Sequence, residues 1–393
     1  MFKGQYVFSQ ITDHLPLHTF RRCVERYHGE RYVKQFRCFD QYLAMSFAQL
    51  THRESLRDIE ACLKAQSSKL YHMGLRSSIS RSTLADANEQ RDWRIYADFA
   101  QALIKIARPL YAGDELGLDL KNTVYALDAS TIDLCFSVFP WALFRSTKSA
   151  VKLHTLLDLR GNIPSFIHIS EGKLHDVNAL DMIIPEAGSF YVMDRAYLDF
   201  ERLFSLNNSG AFFVIRSKNN ILFKRRYSSP VEKTNGIRCD QTIRLTGLNT
   251  KNKYPKPLRR VKYHDNETNK TLNLLTNNEV IPAQTVADLY RYRWKVELFF
   301  KWIKQHLHIR TFFGTSENAL KSQIWIAISV YVLIAIIKKQ LKIKAELYTI
   351  LQVLSLTLFE KIPLEQLLGN SHYMEHTREN AIQLNLFDNL TGH

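Results

Sequence analysis

Glycine and proline are scarce, 14 and 10 in 393 residues, and no stretch has low complexity. With 46% apolar residues, that excludes a disordered or fibrous chain and suits one with a large core. Cysteine is sparse too. Cys23, Cys38, Cys62, Cys135 and Cys239 show neither a CxxC pair nor a metal-ligand spacing. The first residues, MFKGQYVFSQITDHLP, contain no apolar leader segment. An odd number of unpaired cysteines behind such a start predicts a reducing, cytoplasmic setting. Long hydrophobic runs are also missing. The most apolar, IWIAISVYVLIAII (324–337), stops at Lys338 and Lys339. It falls short of the about 20 residues that span a bilayer, so a buried core helix is expected.

Negative charge is in deficit. The chain carries a net +15, and residues 216–270 hold 15 Lys/Arg against four Asp/Glu. One basic stretch supplying most of the excess points to a polyanionic partner, nucleic acid before membrane. The length predicts two or three units.

Residues 1–115 read as helical. Leu43, Phe47, Leu50, Leu56, Ile59 and Leu63 recur at helical spacing, a basic Ser-rich turn follows at 74–93, and Ser82 or Thr83 is a cap for a helix through Ile106. A helix-turn-helix-like DNA-binding unit has this pattern, and so does any helical bundle. From residue 123 short apolar strands begin. TVYALDAST (123–131) ends in an acid, VKLHTLLDLRGNIPSFIHIS (151–170) is a hairpin, SFYVMDRAYLD (189–199) again ends in an acid, and AFFVIRS (211–217) follows a short helix. Hairpin strands followed by strands alternating with helices predict a mixed α/β sheet over about 116–345. Residues 219–278 break that rhythm with a basic, β-rich antiparallel insertion. Residues 346–393 form a tail, expected to be helical.

In YRYRWKVELFFKWIK (290–304), Val296, Phe299, Ile303 and Leu307 mark the apolar face of a helix. Tyr290, Arg293, Glu297, Lys301 and Lys304 share the opposite stripe, with Trp294 at its margin. This is either a solvated face with i,i+4 ion pairs or a lone carboxylate among phosphate-binding cations. Asp128 and Asp194 close their apolar strands, where they are either turn residues or two members of a carboxylate cluster. Asp133, Asp158, Asp176 and Asp199 have similar local settings. Phosphodiester cleavage needs such a cluster, because carboxylate oxygens hold the divalent cations that activate the attacking oxygen and stabilise the leaving one.

The order strand–Asp128, strand–Asp194, insertion, helix–Glu297 resembles the DDE transposases with a ribonuclease-H-like fold. Tyr290-x2-Arg293-x3-Glu297-x6-Lys304 is similar to the YREK signature of the IS-four family of bacterial insertion sequences. LDAST (127–131) resembles its first acidic motif, and MDRAY (193–197) its second, with Ala196 where glycine is usual. The resemblance spans about residues 35–345. It implies a ribonuclease-H-like core with a helical N-terminal DNA-binding region, in which Asp128, Asp194 and Glu297 are catalytic and hold two Mg²⁺, Mn²⁺ substituting. It further implies phosphate contacts from Tyr290, Arg293 and Lys304, with Trp294 beside an extruded base. Arg195, Tyr197 and Lys301 are candidate DNA contacts, and Lys152 and His154 could face the cleft, although His154 suits a structural place equally. The implied partners are double-stranded DNA, as terminal inverted repeats and target, and a second copy of the chain on paired ends. The implied activity is cut-and-paste transposition, with a hairpin step suggested by Trp294. A ribonuclease-H-like nuclease such as a junction resolvase, a non-catalytic repressor derived from a transposase, and a basic structural protein are the alternatives.

Overall fold

Six helices precede the first strand: α1 (Val7–Thr12), α2 (Leu17–Arg26), α3 (Cys38–Leu50), α4 (Leu56–Ala65), α5 (Arg81–Gln90) and α6 (Arg94–Tyr111). The structure is a computed structural model that describes residues 4–76, 78–218, 220–266, 268–306 and 312–369. Serine caps start two of these helices. Ser55 Oγ accepts from Asp58 N at 3.1 Å and Ser80 Oγ from Thr83 N at 3.2 Å, satisfying amides that a first helical turn leaves open. The cap therefore lies before Ser82 and Thr83, and the single helix expected up to Ile106 is two. Arg91 breaks it with an extended backbone. Its guanidinium turns inward to the carbonyls of Phe36 and Arg37 and to Gln41 Oε1. Gln41 in turn bonds Asn88 and the Tyr96 hydroxyl, both at 2.7 Å. A buried charge needs this satisfied network, and holding it costs the helix one turn.

The strands are β1 (Val124–Leu134), β2 (Leu143–Arg145), β3 (Lys148–Asp158), β4 (Ile163–Glu171), β5 (Phe190–Met193), β6 (Phe212–Arg216), β7 (Phe223–Ser229), β8 (Ile237–Leu245), β9 (Leu258–Asp265) and β10 (Lys270–Thr276). Interleaved are α7 (Phe200–Asn208), α8 (Leu248–Lys253), α9 (Ala283–Tyr292) and α10 (Trp294–His306), followed by α11 (Glu317–Gln340), α12 (Leu347–Thr357) and α13 (Leu364–Gly369). Two compact units result. Residues up to Leu103 and from Trp325 onward form one, and Ile104–Ile324 the other. The division points, Leu103/Ile104 in α6 and Ile324/Trp325 in the first half of α11, lie inside helices, upstream of the positions expected near 115 and 345.

In the helical unit the late helices close on the first. Val7 N donates to Glu360 O at 2.9 Å, Phe8 N to Leu358 O at 3.1 Å, and the Gln10 side chain bonds Ile362 O and Leu364 N. The expected tail is therefore helical as far as α13, and SHYMEHTRENAIQLNLFDNL lies outside the described residues. α11 is long and apolar enough to cross a membrane by length and composition, with mean hydropathy 2.0, yet 94% of its most apolar window is buried inside the fold. It is a core helix.

The other unit is built on one mixed sheet in the order β2-β3-β1-β5-β6-β10-β9-β8-β7, with β4 on β3. The β3–β4 hairpin turns through Gly161 (φ 75°) and Asn162 (φ 54°), where a Cβ on residue 161 would meet the Tyr111 ring. β1 pairs antiparallel with β3 and parallel with β5, which pairs parallel with β6. The basic, antiparallel insertion continues this sheet, because Leu274–Thr276 of β10 pair with Val214–Arg216 of β6. One apolar cluster runs under both parts, from Tyr125, Leu127 and Met193 through Phe213 and Ile215 to Ile243, Leu258 and Leu275.

Two buried polar groups lead to predictions. Arg259 is fixed by Asp240 (2.8 and 2.7 Å) and by the carbonyls of Asn278 and Ile281, with both side chains of the ion pair almost fully buried. Asp240→Ala leaves a bare buried cation and is expected to cost about 3–5 kcal/mol in chemical denaturation, most of it regained in Asp240→Ala/Arg259→Met. His154 of β3 is wholly buried, with Nε2 2.9 Å from Ser170 Oγ. Burial, helped by His168 and Lys152, pushes its pKa down to about 4. A depressed histidine pKa stabilises the fold above its unfolded value of about 6.5, and that contribution is lost as pH falls through 4. Thermal unfolding midpoints should therefore drop across this window, and the drop should shrink in His154→Gln.

Candidate active site

Parallel pairing sets the two aspartates. Leu127 of β1 lies opposite Met193 of β5, so Asp128 and Asp194, one residue further on, emerge side by side where β5 ends; β1 runs on to Leu134, so Asp128 lies within its strand and does not close it as expected. Asp128 Oδ1 accepts from Ala129 N, and Asp194 Oδ1 caps a short 3₁₀ turn, Arg195–Tyr197, by accepting from Ala196 N, both at 2.8 Å. Ala196 has no positive φ, so this turn makes no demand for glycine.

α10 packs across β1 and buries Val296, Phe299 and Ile303, as the apolar spacing predicts; Leu307 lies outside the described residues. The helix expected to run unbroken through 290–304 is interrupted at Arg293, between α9 and α10. There the guanidinium forks. Nη1 donates to Asp128 Oδ2 at 2.7 Å and Nη2 to Glu297 Oε1 at 2.6 Å, while the Tyr290 ring lies 5.8 Å from the guanidinium carbon. Arg293 and Asp128 are mostly buried, at 18% and 19% side-chain exposure, whereas Glu297 is 57% exposed. Burial pushes the Asp128 carboxyl up to about 6; Arg293 and the Ala129 amide oppose the rise, and the charges of Asp194 and Glu297 add to it. Burial would lower the Arg293 pKa, but Asp128, Tyr290 and Glu297 outweigh it and hold the guanidinium charged.

Arg293 thus joins Asp128 to Glu297, and Asp194 lies beside Asp128. Among the described residues no three His, Cys, Asp or Glu side chains are drawn together closely enough to share a metal ion. Lys304 belongs to the same place, donating to the Thr131 carbonyl of β1 at 2.6 Å. Trp294, Lys301 and Arg195 are exposed, Trp294 by 51%, so the indole is no core residue. Tyr290 is 8% exposed and forms the floor under Arg293 instead of a solvated contact.

Tyr197 departs from expectation. It is wholly buried in the apolar cluster, because the 3₁₀ turn after Asp194 folds the ring back under the sheet, and as placed it offers nothing to DNA. Its hydroxyl and that of Thr155, opposite Asp128 on β3, are buried without hydrogen-bond partners. Lys152 turns away from open solvent to Asp176 Oδ1 (2.9 Å) and the Leu174 carbonyl (2.8 Å). His154 has the structural place described above. Of the four competing aspartates, Asp158 pairs with Arg108, Asp176 with Lys152, and Asp199 caps α7. No sequence signal singled out Thr131, which takes part only through its backbone oxygen, or Thr155.

The family model described as "Transposase DDE domain" matches residues 119–333, and one described as a domain of unknown function (DUF4372) matches residues 3–76. "Putative transposase y4zB" of Sinorhizobium fredii is 31% identical over 71% of this chain and 77% of its own length. "Probable transposase for insertion sequence element IS5377" of Geobacillus stearothermophilus is 32% identical over 55% and 57%, respectively. "Putative transposase for insertion sequence element IS4SA" of Synechocystis is 25% identical over 66% and 72%. The mixed sheet with its two neighbouring aspartates is the ribonuclease-H-like core that such a domain requires, and DDE enzymes work with divalent metal ions. With more than half its length inside that domain, the chain belongs to the DDE transposases of insertion sequences, enzymes that cut DNA.

Proposed function

We propose that Asp128, Asp194 and Glu297 form the metal-binding centre of this transposase and take two Mg²⁺, for which Mn²⁺ can substitute. The observation that carries the reading is the register that sets Asp128 beside Asp194, with Arg293 tying Glu297 to the same spot. The donor set fits, since three carboxylates without sulfur or imidazole suit a hard cation. When bound, the ions activate the attacking oxygen and stabilise the leaving one. The chain's own groups do the rest. Arg293 and Lys304 hold the backbone of the strand at the site, and exposed Trp294 offers a face on which a base can stack. A water oxygen bonds to phosphorus as the bond to the 3′ oxygen breaks, leaving a 3′ hydroxyl and a 5′ phosphate. That hydroxyl then attacks a target phosphodiester, whose own 3′ oxygen departs. Two copies would act on paired inverted repeats. The five free cysteines favour a cytoplasmic setting.

The insertion supplies a second DNA surface. Along β8–β10 the side chains alternate. Asp240 lies opposite Val261, with its partner Arg259 two residues along β9 on the same face. Gln241, Arg260, Lys262 and Asn273 point to the other face. Arg260 there bonds two neutral amides, Gln241 Oε1 and Asn273 Oδ1, both at 2.9 Å, so among the described residues no acid neutralises it. Cations without acids on one sheet face fit a phosphate backbone. The helical unit, which includes the residues matched by the domain of unknown function, is proposed to recognise the terminal repeats.

Asp128→Asn, Asp194→Asn and Glu297→Gln should each lower Mg²⁺-dependent nicking of DNA carrying the sequences that flank the reading frame. The loss should exceed the roughly 10–100-fold typical of an outer-shell partner, while gel-shift binding of the same DNA persists. Near-normal nicking in Glu297→Gln would remove Glu297 from the centre. Binding without any cleavage by the unaltered chain would favour the repressor reading. Arg260→Ala/Lys262→Ala should weaken duplex binding and lower the log–log salt slope by about one to two units, since each lost phosphate contact contributes about 0.9.

A further inference from the structure

The ground between two of the proposed metal ligands is taken by a side chain. Arg293 Nη1 holds Asp128 Oδ2 at 2.7 Å and Nη2 holds Glu297 Oε1 at 2.6 Å. These are charge-assisted bonds in the fork geometry that guanidinium makes with carboxylates. A hard cation requires the same oxygens. A carboxylate oxygen facing a fixed positive charge is a poor ligand for a second one placed beside it. This accounts for the lack of a preassembled three-ligand cluster among the described residues.

We propose that Arg293 is a positioning residue that occupies the place of the metal between Asp128 and Glu297, and that it is exchanged for the metal as its guanidinium passes to a DNA phosphate. The inference rests on the metal-site assignment above. The two carboxylates differ in their freedom to take part. Asp128 is mostly buried and anchored by the Ala129 amide, so it stays. Glu297 is 57% exposed on the first turn of α10, next to the break at Arg293, so it and the arginine are the parts that turn. Two consequences follow from linkage. A phosphate that draws Arg293 away unmasks the carboxylates, and a cation that takes the carboxylates frees Arg293 for phosphate, each favouring the other by the same factor. The enzyme would thereby hold its metal weakly until DNA is in place.

The sign of one measurement separates this from simple scaffolding. If Arg293 only organised the carboxylates, removing it would loosen metal binding. If it competes, removal tightens binding. Mn²⁺ affinity of the full chain without DNA, read by calorimetry and by the electron paramagnetic resonance of bound Mn²⁺, should be about tenfold tighter in Arg293→Gln than in the unaltered protein. Arg293→Lys, which keeps the charge but cannot fork across both carboxylates, should be tighter by a smaller factor. It decides the matter if thermal unfolding shows that the glutamine variant does not fold. Equal or weaker Mn²⁺ binding in the folded variants overturns the exchange. Asp128→Asn and Asp194→Asn are the controls. If both still bind Mn²⁺ normally, the metal-site assignment fails. If they lose it while the arginine variants bind no tighter, the exchange alone fails.

Discussion

Everything at the active edge depends on the parallel ladder between β1 and β5. A slip of one residue would turn one aspartate to the opposite face of the sheet and leave the other alone. The ladder is protected against such a slip. Val124, Ala126 and Leu127 and their partners Phe190, Val192 and Met193 are all buried, so a shift would expose apolar surface on both faces. β3 on one side and β6 on the other hold the pair in the middle of the sheet, where no edge is free to fray. The placement of the two aspartates is thus inherited from core packing, and the polar groups only decorate it.

Arg293 is the second determinant. It connects a strand to a helix far away in sequence and holds together like charges that burial and mutual repulsion would otherwise drive towards protonation. The raised pKa of Asp128 is the residue of that conflict. Tyr290 below and Lys304 one helix length away complete the attachment of α10 to β1. A signature spaced as tyrosine, arginine, glutamate and lysine therefore has an architectural meaning besides any contact with DNA: three of its four side chains fasten the fourth element of the site to the sheet.

Much of this was legible locally. Apolar runs before Asp128 and Asp194 announce two strands, although β1 continues past its acid to Leu134, and the three–four spacing of Val296, Phe299 and Ile303 places Glu297 on the side facing away from the core. What escaped was set by distant partners. The run SISRST offers several equivalent caps, of which Ser80 takes the Thr83 amide, and the break at Arg91 depends on the distant carbonyls of Phe36 and Arg37. Pairing of β10 with β6 joins residues about sixty apart and leaves no local trace, so the continuity of the insertion with the central sheet was not legible. Tyr197 follows an acid in a polar-looking motif, yet the turn capped by Asp194 carries it into the core.

At the far end of the sheet, β7 is exposed along nearly its whole length and carries Lys224, Arg225 and Arg226 in succession, with a bulge after Arg225. An open sheet edge ordinarily invites another strand to pair with it, and consecutive cations together with a bulge are the usual defence. Two copies of this chain brought edge to edge would set like charges against like along both β7 strands. The sheet is therefore guarded against lengthening through β7, unless a polyanion lies between the two strands.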